Sequence, residues 1–166
     1  MRRVALLRGV NVGGHGKVPM AELKEVFQEA GAKDVVTYIQ SGNVAFDGPV
    51  ALNAKKIATA IEKHFKLKVS VAVRTHAQLQ KVIDDSPYDD PSLVHVGFLI
   101  TKPKTTEIDV SQFAPEEFTV VRDEVYFHLP NGVGTSKMMP FLGRRLGADM
   151  TVRNWNTVMK MFELSR

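Results

Sequence analysis

Val4-Ala5-Leu6-Leu7-Arg8-Gly9-Val10-Asn11-Val12-Gly13-Gly14-His15-Gly16-Lys17-Val18-Pro19-Met20 is the stretch on which the fold turns. Val4 to Leu7 is a short apolar run of the buried-strand type, and it empties into a glycine-rich loop, Gly9 to Lys17. A helix follows. Met20, Leu23, Val26, Phe27 and Ala30 recur at helical spacing, Pro19 suits the first helical position and Gly31 the C-terminal stop. Outward from there, Val35 to Ile39 and Asn43 to Phe46 are β-branched and aromatic runs separated by Gln40-Ser41-Gly42, a hairpin signal. Gly48-Pro49 breaks the pattern, and the next helix shows Ile57, Ala58, Ile61 and Phe65 on one face. Val69, Val71 and Val73 then alternate with Ser70, Ala72 and Arg74, as in a half-buried strand. The order βαββαβ is that of a ferredoxin-like unit, two helices on one face of a four-stranded sheet.

Thr75-His76-Ala77-Gln78 has the form of a capping box opening a further helix, with Leu79, Val82 and Ile83 on its apolar side. Ser86-Pro87-Tyr88-Asp89-Asp90-Pro91-Ser92 reads as a connection. Beyond it come a strand at His95 to Ile100, an irregular acidic stretch and a hairpin of Thr119 to Arg122 with Val125 to Leu129. Helical patterns at Pro140 to Leu146 and Trp155 to Leu164 finish the chain. The expectation is an α+β protein: a ferredoxin-like half over residues 1–85, a connecting segment over 86–92, and a second α+β half over 93–166 packed with the first. No sequence repeat between the halves is evident.

The 166 residues are 44% hydrophobic and 24% charged, ordinary globular usage. The absence of cysteine excludes disulfides, zinc-thiolate sites and cysteine nucleophiles, and fits a reducing, cytoplasmic setting. No apolar run approaches the ~18 residues of a membrane span, so no membrane partner is expected. The net charge of +4 is unevenly placed: thirteen Lys and Arg against six Asp and Glu over residues 1–83, three against ten over 84–124, six against two over 125–166. Such asymmetry points to an anionic partner; the plainer reading is charge spread for solubility.

Four segments carry polar chemistry. In Gly9 to Lys17, a strand-to-helix loop, the amides of Gly13, Gly14 and Gly16 are candidates for an anion nest between Arg8 and Lys17, with Asn11 beside them. It is no Walker motif, because Asn11 and Val18 stand where glycine and Ser or Thr are required. Nor is it a dinucleotide fingerprint, because Pro19 stands at the third glycine. Gln40, Ser41 and Asn43 surround the hairpin turn. A right-handed crossover brings that turn to the same end of the sheet as the glycine-rich loop; the plain alternative is a turn bonding its own backbone. Pro130-Asn131-Gly132-Val133-Gly134-Thr135-Ser136-Lys137 is a second glycine-rich loop, with a helix starting near Pro140. In Arg153-Asn154-Trp155-Asn156-Thr157, Asn154 suits an N-cap and Trp155 a core anchor, which leaves Arg153 and Asn156 as polar candidates. The histidines show no metal-binding spacing, so no metal site is expected.

Leu6-Leu7-Arg8-Gly9-Val10-Asn11-Val12-Gly13-Gly14, Thr37-Tyr38-Ile39-Gln40-Ser41-Gly42-Asn43-Val44 and Arg153-Asn154-Trp155-Asn156-Thr157 resemble the hallmark segments of a bacterial family named domain of unknown function 1697, in order, spacing and total length. The resemblance covers nearly the whole chain and implies no activity or cofactor. The residues themselves suggest a binding module for an anionic ligand, a phosphorylated small molecule or nucleic-acid phosphate. Two alternatives stand beside it: an enzyme using His15 or Ser41 on a phosphorylated or carboxylated substrate, and a protein-interaction module.

Overall fold

The computed structural model describes all 166 residues. They form two compact units, one of Met1–Gln80 with Met159–Arg166 and one of Lys81–Val158. The division falls inside a helix, a few residues ahead of the Ser86 to Ser92 connection, and the end of the chain returns to the first unit.

The first unit runs β1 (Arg2–Leu7), α1 (Met20–Glu29), β2 (Lys33–Tyr38), β3 (Asn43–Asp47), α2 (Ala54–Phe65), β4 (Val71–Thr75). Its sheet order is β2-β3-β1-β4, every neighbouring pair antiparallel, which is the ferredoxin-like arrangement expected from the βαββαβ pattern. Period-2 alternation divides β1 between the two faces of the sheet. Ala5 and Leu7 join Val44, Phe46 and Val71 under Leu23, Phe27, Ile57 and Ile61 of the helices. Val4, Leu6, Asn43, Ala45, Ala72 and Arg74, on the other face, are buried as well. Phe27 and Phe46 meet edge to face at 5.3 Å where α1 crosses the sheet. The C-terminal tail is tied to this unit: Arg2 Nε donates to Leu164 O (2.7 Å), and His76 stacks on Phe162 at 4.4 Å.

α3 (His76–Asp84) runs from the first unit into the second, which holds β5 (Val94–Leu99), β6 (Glu117–Val121), β7 (Glu124–His128), α4 (Met138–Leu146) and β8 (Met150–Asn154), and α5 (Trp155–Leu164) starts in the second unit and ends in the first. The sheet order is β6-β7-β5-β8, again all antiparallel. This repeats the first topology, with residues 100–116 and one short 3-10 turn in place of the first crossover helix. The repetition reaches single hydrogen bonds. Leu7 N donates to Gly42 O and Leu99 N to Asp123 O, both at 2.9 Å; Arg8 N donates to Ser70 O (3.0 Å) and Ile100 N to Asp149 O (2.8 Å). Val4 faces Arg74 across the ladder as Val96 faces Arg153. Both fourth strands run straight into a capped helix: Gln78 N donates to Thr75 Oγ1, and Thr157 N to Asn154 Oδ1.

Three readings of the second unit are corrected. Met150–Asn154 is a strand that the sequence had left unassigned, α4 begins at Met138 rather than near Pro140, and Trp155 is half-buried rather than a core anchor. Ser136 Oγ accepts the amide of Met139, which starts α4 early enough for Pro140 to occupy its first turn, where proline is tolerated.

Candidate functional site: the basic end of the first sheet

The connection from β1 to α1 takes the twelve residues 8–19, at least twice a typical strand-to-helix loop. It is built as a small hairpin. Asn11 N donates to Gly16 O (2.9 Å), and Val12 and His15 exchange both backbone bonds (3.3 and 2.9 Å). Gly13 and Gly14, with φ of +56° and +78°, make the two-residue turn. A turn with φ > 0 at both central positions is the primed type that matches strand twist. The loop expected to offer an amide nest is built as a hairpin finger, in which the His15 amide closes back on Val12.

The base of the finger is tight and its tip is open. A Cβ on Gly16 would meet Gly9 O at 2.8 Å and Leu67 Cδ2 at 3.4 Å, whereas one on Gly13 or Gly14 would touch nothing within 4 Å. Asn11 clamps the base: its Nδ2 donates to Val18 O (2.9 Å) and Gln40 O (2.7 Å), and its Oδ1 accepts from Val18 N (2.9 Å). Asn11 itself sits at φ +56°, a left-handed position that asparagine tolerates better than most residues.

The same amide bond brings in the β2–β3 turn, so the glycine-rich loop and Gln40 to Asn43 share one end of the sheet, as the crossover rule required. Asn43 is fully buried, and its Nδ2 donates to Tyr38 O and to Ser41 Oγ, both at 2.9 Å. Asn11 and Asn43 thus shape the site from within. Gln40 is exposed and Ser41 half-buried. Ile39, next to them, is 50% exposed at φ +48°, an uncommon conformation for a β-branched residue.

A third segment completes this end, one to which sequence reasoning assigned no role. The α2–β4 connection, residues 66–70, lies against the finger base through Leu67 and bonds the main chain of Arg8 through Ser70 O. It carries Lys66 and Lys68. Arg8, His15, Lys17, Lys66 and Lys68 are all exposed, and residues 8–18, 39–43 and 66–70 contain no Asp or Glu. Lys17, Lys66 and Lys68 make no ion pair. α1 starts at the same end without a side-chain cap, adding the positive end of its dipole. Lys66 also has a local role as the left-handed C-cap of α2, where a cation offsets that helix's dipole. The signal that would have found the two lysines is topological: in βαββαβ the fourth strand enters beside the exit of the first.

Arg153 and Asn156 belong to the second unit. Asn156 is exposed, while Arg153 is buried, with its Nη1 donating to Thr151 Oγ1 (2.6 Å) and Val152 O (3.0 Å). Burial pushes its guanidinium pKa down to about 10. Arg74, its counterpart in the first sheet, is buried to the same extent and donates likewise to Val73 O. The two sheets thus carry a buried arginine at the same register position. Tyr126 is also buried, its hydroxyl donating to Val82 O (2.6 Å), and burial, then Glu124 and Asp85, raise its pKa.

Two hollows lie away from the basic end. One of about 350 Å³ sits between α1 and α2 beside Ala30, Ala60 and His64; the other, about 580 Å³, is at the opposite end of the sheet by Lys24, Asp34, Asp47 and Arg166. No group of His, Asp and Glu side chains suits a metal ion.

The family described as "Protein of unknown function (DUF1697)" matches residues 1–126. The chain belongs to this family. The match takes in the finger, the β2–β3 turn and the α2–β4 connection. Among solved structures, the DUF1697 chain is similar to the conserved bacterial protein SP0830 from Streptococcus pneumoniae, with a TM-score of 0.75 and 23% sequence identity over 99% of this chain and 98% of that one. That likeness establishes the fold. No match was found among curated proteins.

Proposed function

We propose that this protein binds a phosphate-bearing anion at the basic end of its first unit. The observation that carries the reading is the convergence of Arg8, Lys17, Lys66 and Lys68, with His15, from two segments joined by the backbone hydrogen bond from Arg8 N to Ser70 O, with no carboxylate in the three segments that build the end. Clustered cations of one sign raise the local concentration of anions and accelerate their capture. Their exposure favours a polyanion laid across the surface over a small phosphate enclosed in a cavity. The chemistry of an enzyme has less support: Ser41 Oγ accepts from Asn43, and His15 lies on the finger away from any buried partner.

Thermal unfolding with and without inorganic polyphosphate tests the reading, since a ligand of the native state raises the midpoint by mass action. The wild-type protein is expected to gain stability, and the gain should shrink in Lys17→Ala and in Lys66→Ala with Lys68→Ala. Unliganded Lys17→Ala should stay within about 0.5 kcal/mol of wild type, as surface changes usually do, and the Lys66→Ala with Lys68→Ala variant within about 1 kcal/mol, because Lys66 also caps α2. No gain at saturating polyphosphate, or an equal gain in all three proteins, would refute it.

A further inference from the structure

The finger is the part of this end that charge alone does not explain. Four cations need only a surface, yet the chain spends residues 11–16 on a projection whose base is clamped by Asn11 and whose glycine tip stands in open space. The second unit, with the same strand order and the same backbone bonds at the exit of β5, builds no such hairpin there. The finger is thus an addition to what the topology requires. At its tip Val12 is 61% exposed, beside Gly13 and Gly14, with His15 opposite and Arg8 and Lys17 at the two feet.

We infer that the finger enters a groove of a double-stranded nucleic acid, with Val12 against the base edges and Arg8, Lys17, Lys66 and Lys68 on flanking phosphates. This rests on the phosphate-binding reading above. The dimensions agree. Two strands about 5 Å apart, narrowed to glycine at the tip, fit a major groove about 12 Å wide, which admits a two-stranded β-ribbon. Three residues from Asn11 to Gly13 reach about 7 to 10 Å, against a groove depth of about 8.5 Å. Single strands are the weaker fit, because they are held by stacking on exposed rings. Every Phe, Tyr and Trp in this chain is buried or half-buried, and the one exposed ring on the finger is the small imidazole of His15. Phosphate contacts would position the protein, and the one apolar side chain at the tip would feel the bases.

The test uses the full chain, with fluorescence anisotropy on a short duplex DNA, one strand of it alone, inorganic polyphosphate and anionic lipid vesicles. Duplex should bind more tightly than single strand. Val12→Ser, a change at an exposed position, should weaken duplex binding about tenfold while leaving polyphosphate binding unchanged. Lys66→Ala with Lys68→Ala should weaken both. In Val12→Ser, equal loss on duplex and polyphosphate or no loss at all, and in the wild-type protein a preference for single strands or vesicles, would overturn the groove-entry proposal while leaving phosphate binding standing. Failure to bind any of the four probes would instead sink the reading on which it rests.

Discussion

Asn11 and Gly42 hold the basic end together, and neither is replaceable on physical grounds. Asn11→Ala removes three hydrogen bonds to the main chain and leaves alanine at φ +56°, so urea unfolding should show a loss of about 1 to 3 kcal/mol. In Gly42→Ala the new Cβ would stand 2.8 Å from Leu7 Cβ and from Val10 Cγ2 at φ +84°, a clash with a strained backbone that should cost at least about 1 to 3 kcal/mol. Wild-type stability in either variant would contradict the clamp described here. Ile39 is the converse case. Its left-handed φ costs the fold, so Ile39→Asn should leave stability unchanged or raise it.

His95 supplies a pH dependence at the same scale. Its Nδ1 is buried without a hydrogen-bond partner, and burial pushes the imidazole below its ordinary value. The fold therefore prefers neutral His95, while the unfolded chain takes up a proton as the pH falls through about 6.5. Stability present above that pH is lost on acidification towards the lower folded value. His95→Gln should flatten the fall of the unfolding midpoint between pH 7 and pH 5; an unchanged slope would show that His95 is not the group responsible.

Among the elements, those with strong local signals were legible and those defined by tertiary pairing were not. The Thr75 to Gln78 capping box closes reciprocally, Thr75 N on Gln78 Oε1 (2.8 Å) and Gln78 N on Thr75 Oγ1 (3.1 Å). Asn154 caps α5 as its residue type implied. Thr75→Ala and Asn154→Ala should each lower stability by about 1 kcal/mol in denaturant titration, and a change below a few tenths would remove the caps from the account. β8 escaped notice because Met-Thr-Val-Arg-Asn is short and carries a charge that is buried only once the strand pairs with β5. The finger escaped because Gly13-Gly14 suits several kinds of turn, and the hairpin form appears only with the bonds between Val12 and His15.

For the whole molecule, the unequal charge visible along the sequence becomes a difference between units. The first carries fourteen Lys and Arg against seven Asp and Glu, the second eight against eleven. The basic end of the first sheet was half legible: Arg8 and Lys17 stand in a glycine-rich loop that draws attention, whereas Lys66 and Lys68 join them only through the strand order. That assembly is the central claim, and the salt dependence of binding to duplex DNA tests it most directly. Each phosphate neutralised by a cation contributes about −0.9 to the slope of log K against log salt. Four contacts predict a slope of about −3.6 for the wild-type protein, falling to about −1.8 in Lys66→Ala with Lys68→Ala. A slope near zero, or one that the double variant leaves unchanged, would contradict it.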